Sequence, residues 1–141
     1  MSCARAPGGT YRIPVRVYYE DTDAAGVVYY ANYLRYMERA RTEWLSALGH
    51  DLALLERREG VVFVVHRVEI DFRLPARLGD RLDATLTLVD LHRASMVVLQ
   101  DVVREGRTLT HARVAIACLN HASWRPVRIP AALRATLETL L

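Results

Sequence analysis

The chain has 141 residues, and its 19 positive side chains, all of them arginine, stand against 16 acidic ones for a net charge of +3. That length suits one domain with a real core, and 52% hydrophobic with 25% charged residues places the chain in the ordinary globular class. The complete lack of lysine excludes Schiff-base chemistry, P-loop and kinase lysines and Ser-Lys acylation, while arginines interspersed with acids, without a run of like charge, argue against a nucleic-acid footprint.

Residues 1–9, with Cys3, Pro7, Gly8 and Gly9, read as a flexible tail without a signal-peptide core, and residues 10–141 as one domain. The longest apolar run, residues 61–65, is far below the ~18 residues of a membrane span, so no transmembrane segment and a cytoplasmic location are expected. Cys3 and Cys118 form neither a metal cluster nor a disulfide framework, and Cys118 reads as a small buried hydrophobe.

Residues 12–19 alternate, with Ile13, Val15, Val17 and Tyr19 on one face, which predicts a half-buried strand; Pro14 suits an edge. A loop rich in small and acidic residues follows. Over residues 30–48, Tyr33, Met37, Ala40, Trp44 and Ala47, joined by Leu34 and Leu48, recur at helical spacing, and Gly49 is the expected stop. A short helix is predicted around residues 52–57. Four strands come next. Residues 64–74 place Val64, His66, Val68, Ile70, Phe72 and Leu74 inward; residues 81–91 place Leu82, Ala84, Leu86 and Leu88 inward. Residues 96–104 and 108–119 are more uniformly apolar, and Glu105-Gly106-Arg107 reads as the tight turn between them. A terminal helix is predicted over residues 131–141, after Pro130. Strand, long helix, then about four antiparallel strands is an α+β layout. About 18 helical residues span ~27 Å, which matches eight or nine strand residues at ~3.3 Å each. One helix can therefore lie along the width of a curved sheet.

The informative stretch is Tyr18-Tyr19-Glu20-Asp21-Thr22-Asp23-Ala24-Ala25-Gly26-Val27-Val28-Tyr29-Tyr30-Ala31-Asn32-Tyr33. Two carboxylates precede a small-residue turn that feeds the N-terminus of the long helix, where backbone N–H groups lack internal partners and carry the positive end of the dipole. A carbonyl oxygen there would be polarised, and a carboxylate just upstream would attack it or activate water. From spacing alone the same aspartates also read as turn and cap formers. An EF-hand loop fails at Ala25 and Asn32. A phosphoaspartyl site would want a downstream lysine, and His111 and His121 have no further ligand at metal spacing, so no metal site is expected. The four serines make no nucleophile elbow, and His66 reads as a hydrogen-bonded, partly buried imidazole.

This run, with Glu38-Arg39-Ala40-Arg41-Thr42-Glu43, Phe63-Val64-Val65, Pro75-Ala76-Arg77-Leu78, Asp80 and Arg93-Ala94-Ser95, resembles the Tol-Pal-associated acyl-CoA thioesterases and, more distantly, the 4-hydroxybenzoyl-CoA thioesterases, over roughly residues 11–130. The resemblance implies a hotdog fold, in which a curved antiparallel sheet of about five strands wraps a long helix. It implies a homodimer or homotetramer with composite sites, an acyl-CoA substrate and no cofactor beyond the coenzyme A of that substrate. It places the catalytic carboxylate on Asp23, as general base or nucleophile, and the carbonyl-polarising N–H on Tyr30, where many relatives carry histidine. Substrate contacts fall on Gly26 and Val27, and coenzyme A contacts on Arg93, Ser95 and Arg125. Glu38 and Arg41 fit the family pattern and either orient the helix or pair on its surface. A thiolate leaves readily, so one carboxylate, orientation and polarisation suffice for hydrolysis. The rival expectation is a non-catalytic module of the same fold that binds acyl-carrier protein or an envelope-associated complex. A dehydratase would place a histidine on the active-site helix, where this chain has tyrosines.

Overall fold

The computed structural model describes residues 4, 5 and 9–141. Cys3 and most of the tail expected over residues 1–9 lie outside the described residues. The elements are β1 (Ala4–Arg5), β2 (Tyr11–Arg16), a 3-10 turn (Tyr19–Asp21), α1 (Asn32–Ala47), α2 (Leu52–Glu59), β3 (Val61–Phe72), β4 (Arg81–Leu91), β5 (Ser95–Arg104), β6 (Arg107–Asn120) and α3 (Ala131–Glu138). The strands form one antiparallel sheet in the order β1-β2-β4-β5-β6-β3. Five are the expected long strands; β1 adds two residues to one edge. Among the described residues, Pro14 lies beyond the β1 pairing, at the outer side of β2.

α1 packs across β2, β4 and β5, the hotdog arrangement. Its buried stripe is Tyr33, Tyr36, Met37, Ala40 and Trp44, at spacings of three and four, facing Leu82, Ala84, Leu86, Met96 and Val98. Burying side chains as large as Met37 and Trp44 is worth about 2–3 kcal/mol each. The helix stops at Gly49, whose φ of +88° a larger residue would resist. At the head of α2, Asp51 accepts hydrogen bonds from the N–H groups of Ala53 and Leu54 (2.9 and 3.2 Å). The β5–β6 hairpin turns on Glu105 and Gly106, both left-handed (φ +50° and +76°), the conformation that matches the right-handed twist of its strands.

Six side chains face otherwise than the sequence suggests. Tyr19 is exposed, because β2 ends at Arg16 and the chain enters the 3-10 turn. Leu34 and Ala47 face outward on α1, whose burial is carried instead by Tyr36 and Leu45. The β3 ladder shifts register between Val65 and Arg67. Phe63 and Val65 face the core before this bulge, and Val68 and Ile70 after it, so Val64 does not point inward and His66 is exposed rather than partly buried. Phe72 is half exposed at the strand's end.

Candidate active site

Val17 leaves β2 buried, and the chain then folds into a small hairpin held against the sheet. Asp21 is buried, with its carboxylate accepting the Tyr18 N–H at 2.9 Å. Its carbonyl accepts the Tyr29 N–H at 2.9 Å and the Asn32 side-chain amide at 2.8 Å. Thr22 bridges Val28, and the Asp23 N–H donates to the Val27 carbonyl at 2.9 Å. Asp23 sits at the tip. Its carboxylate is exposed and accepts one local hydrogen bond, from the Ala25 N–H at 2.9 Å. Gly26 closes the tip with φ +79° and is itself exposed; Val27 is half-buried.

The hairpin leads straight into α1. The N–H groups of Asn32, Tyr33 and Leu34 turn back to the carbonyls of Tyr29, Tyr30 and Ala31 (2.8–3.4 Å). Among the described residues, the N–H groups of Tyr30 and Ala31 have no acceptor. A free donor at the head of a 16-residue helix, on the same hairpin as an exposed carboxylate, can polarise a carbonyl oxygen while the carboxylate activates water or attacks. The Tyr30 ring is 61% exposed, 4.9 Å from Tyr29 and 6.1 Å from Phe72 between centroids. With Val28, Tyr33 and Leu74, the Tyr30 and Phe72 rings line an open cleft of about 250 Å³.

Sequence reasoning missed what holds the hairpin. Val28 donates to the Ala76 carbonyl at 2.9 Å, and Val27 bridges Arg77. The buried Tyr33 hydroxyl accepts the Ala76 N–H at 2.9 Å; burial raises its pKa, and that N–H pulls it partly back. Asp80 accepts the Arg77 N–H at 2.9 Å and the Arg104 guanidinium at 2.7 Å. Partial burial pushes the Asp80 carboxyl up, but the Arg77 N–H and Arg104 outweigh it and hold the group below the ordinary carboxylate range. The Pro75-Ala76-Arg77-Leu78 run with Asp80 is thus a cradle for the Asp23 loop. Its only signal in sequence was the resemblance.

The other expected residues lie elsewhere. Arg93 and Ser95 occupy the β4–β5 turn, where Ile129 donates to the Arg93 carbonyl at 2.9 Å and Cys118 to the Ala94 carbonyl at 2.8 Å. The Ile129 bond, with one from the Val127 N–H to the Cys118 carbonyl at 3.0 Å, docks the segment that carries Arg125, so Arg93, Ser95 and Arg125 share one end of the sheet, with Arg93 and Arg125 exposed. Asp23 and Tyr30 share the other, beside the end of β3 and the start of β4. A strand of about ten residues separates the two groups, roughly 30 Å. Glu38 and Arg41 do not pair with each other: Glu38 accepts the Thr42 hydroxyl at 2.7 Å, and Arg41 donates to Gln100 at 2.9 Å. Burial raises the Cys118 thiol to about 11, which leaves it unreactive.

A helix-wrapped antiparallel sheet with a carboxylate hairpin at the helix head defines the hotdog thioesterases, and residues 17–137 match the family model of the thioesterase-like superfamily, to which this chain belongs. The chain is 38% identical to the acyl-CoA thioesterase YbgC of Haemophilus influenzae, over 92% of this chain and 96% of that one. It is 35% identical to a 1,4-dihydroxy-2-naphthoyl-CoA hydrolase of Thermosynechococcus vestitus, over 87% and 85% of the two chains. A crystal structure of a probable thioesterase from Bartonella henselae superposes with a TM-score of 0.83 at 35% identity, covering 86% of this chain and 99% of that one. Among the described residues, no helix is long and apolar enough to cross a membrane.

Proposed function

We propose that the protein hydrolyses acyl-CoA thioesters to a free acid and coenzyme A, with Asp23 as general base or nucleophile and the Tyr30 N–H binding the thioester oxygen. The observation that carries this reading is the unpaired N–H of Tyr30 at the head of α1, built on the same hairpin as the exposed Asp23 carboxylate. Gly26 and Val27 shape the wall beside the scissile bond. Arg93, Ser95 and Arg125 hold the phosphates of coenzyme A, for which the guanidinium fork is suited.

The distance between the two groups supports a composite site. β3 is an edge strand with an open side. If two copies join their β3 edges about a two-fold axis, the strands run antiparallel, and the Phe72 end of one lies beside the Val61 end of the other. Asp23 and Tyr30 of one protomer then approach Arg93, Ser95 and Arg125 of its partner. The exposed rings of Tyr29, Tyr30 and Phe72 fall on this side and support its burial in an assembly. We therefore read the working unit as a homodimer, or a homotetramer of such dimers, in the cytoplasm.

Thiol release from a panel of short-chain, long-chain and aromatic acyl-CoAs tests the activity. Asp23→Asn is expected to lower kcat about 10²–10⁴-fold with an unchanged thermal unfolding curve, because an amide can still accept the Ala25 N–H. Full activity in that variant would overturn the roles assigned. Silence of the wild type across the panel, with retained binding to acyl-carrier protein, would favour a non-catalytic module.

A further inference from the structure

Under the middle of α1, on the side of the open β3 edge, lies a cavity of about 110 Å³ walled by Trp44, Leu45, Phe63, Val65 and Met96. Three polar side chains, Glu38, Arg41 and Thr42, complete this lining, and Arg41 is its one cation. Arg41 donates from Nη1 to Gln100 Oε1 at 2.9 Å, and the fully buried Gln100 is itself fixed by donating to the Met37 carbonyl at 2.8 Å. Among the described residues, no carboxylate lies within ion-pairing distance of this guanidinium. Glu38, one turn earlier, is exposed and turned to the Thr42 hydroxyl. Burial pulls the Arg41 pKa down, and the charge of Glu38, in the same lining, pushes it part of the way back up. Most of the five guanidinium donors remain to be used.

The two-fold arrangement proposed above brings the partner's hairpin to the Val61 end of β3, which is the end where Phe63 and Val65 open this cavity. We propose that the cavity receives the tail of the acyl group and that Arg41 is a specificity-determining residue, selecting short acyl-CoAs that end in a carboxylate. The apolar walls take the methylenes, and the carboxylate supplies the direct ion pair that Glu38 does not make, in the bidentate geometry a guanidinium favours. Its small volume, about 110 Å³, favours short tails, such as those of half-thioesters of short dicarboxylic acids, over long alkyl chains and fused rings.

This inference rests on the thioesterase reading, and the test separates the two. Initial rates are measured for glutaryl-CoA, hexanoyl-CoA and 4-hydroxybenzoyl-CoA with the wild type, Arg41→Met and Arg41→Lys, alongside thermal unfolding and light scattering of each protein. The expected result is a kcat/KM for glutaryl-CoA at least about 10-fold above that for hexanoyl-CoA. Arg41→Met should reduce that ratio to one or below, and Arg41→Lys should keep part of it. A ratio near one in the wild type, or a preference for the hydroxylated ring, overturns the inference and leaves the thioesterase reading standing. Arg41→Met that slows all three substrates alike, or that dissociates the oligomer, reassigns Arg41 to support or to a contact between copies, and also overturns it. No thiol release from any substrate overturns both readings.

Discussion

Asp21 and Asp23 are two residues apart and do opposite things. Asp21 is spent on structure: its carboxylate caps Tyr18, and its carbonyl ties Tyr29 and Asn32 to the hairpin. Asp23 keeps its carboxylate in the open, with one local bond. In sequence both read equally as turn formers. The resemblance singled out Asp23 without a physical reason, and the fold supplies one, because burial and the pairing of Tyr29 with Asp21 depend on where the hairpin returns. The Tyr30 donor is a backbone group, which gives a test at this scale. Tyr30→Ala, which keeps the N–H, controls for loss of the ring, and Tyr30→Pro removes that N–H just ahead of α1, where no acceptor among the described residues takes it. The expected outcome is a protein with native circular dichroism whose kcat falls about 10²–10³-fold, the cost of one oxyanion donor. Retention of wild-type turnover would remove Tyr30 from the mechanism.

At the scale of elements, alternation was a sound guide wherever a strand stayed regular. β4 runs over residues 81–91 as its pattern predicts, with Leu82, Ala84, Leu86 and Leu88 buried. β3 misled at Val64 and His66, because the bulge between Val65 and Arg67 puts the residues before it out of phase with Val68 and Ile70, and no residue type announces the insertion. The α1 stripe was rotated because Tyr36, which looks amphipathic, is fully buried; burial, and then the nearby Asp21 charge, push its phenol up. The cradle at residues 75–80 is the element whose role was least legible, since its bonds reach across the sheet. It makes a clear expectation. Asp80→Asn should cost about 1 kcal/mol at pH 7, a modest value because both Asp80 and Arg104 are partly exposed. The Asp80 carboxyl is held below its ordinary value, so its contribution is present above the unfolded-state pKa and is lost as pH falls through the folded one. Urea unfolding of wild type and variant should therefore differ at pH 7, begin to approach each other near pH 4 and converge only below the folded-state pKa of Asp80. A difference that persists in acid would assign the loss to packing instead.

At the scale of the whole molecule, the fold class was readable from element order, and the spatial division of the site was not. Residues 23–30 and residues 93–125 look like parts of one list until the strand order places them at opposite ends of the sheet. The composite arrangement makes a quantitative expectation. Asp23→Asn and Arg93→Glu proteins, each weak alone, should on mixing and exchange of subunits form heterodimers in which one of the two sites is intact. With half of all dimers mixed, activity should recover to about a quarter of wild type. No recovery after demonstrated exchange would mean that Asp23 and Arg93 act within one chain.

The strand order also bears on how the molecule assembles in time. β4, β5 and β6 are neighbours both in sequence and in space, and their central hairpin closes through a two-residue turn already in the left-handed conformation. β2 and β3 must instead find partners distant along the chain, at opposite edges. Local contacts close at lower entropic cost and form sooner. The three-strand meander is thus the natural folding nucleus, and the hairpin bearing Asp23 docks onto a platform that is already built. Under mild denaturant, amide protons of β5 and β6 should outlast those of residues 22–29 in hydrogen exchange. A weakened variant would then lose turnover well before it lost its sheet.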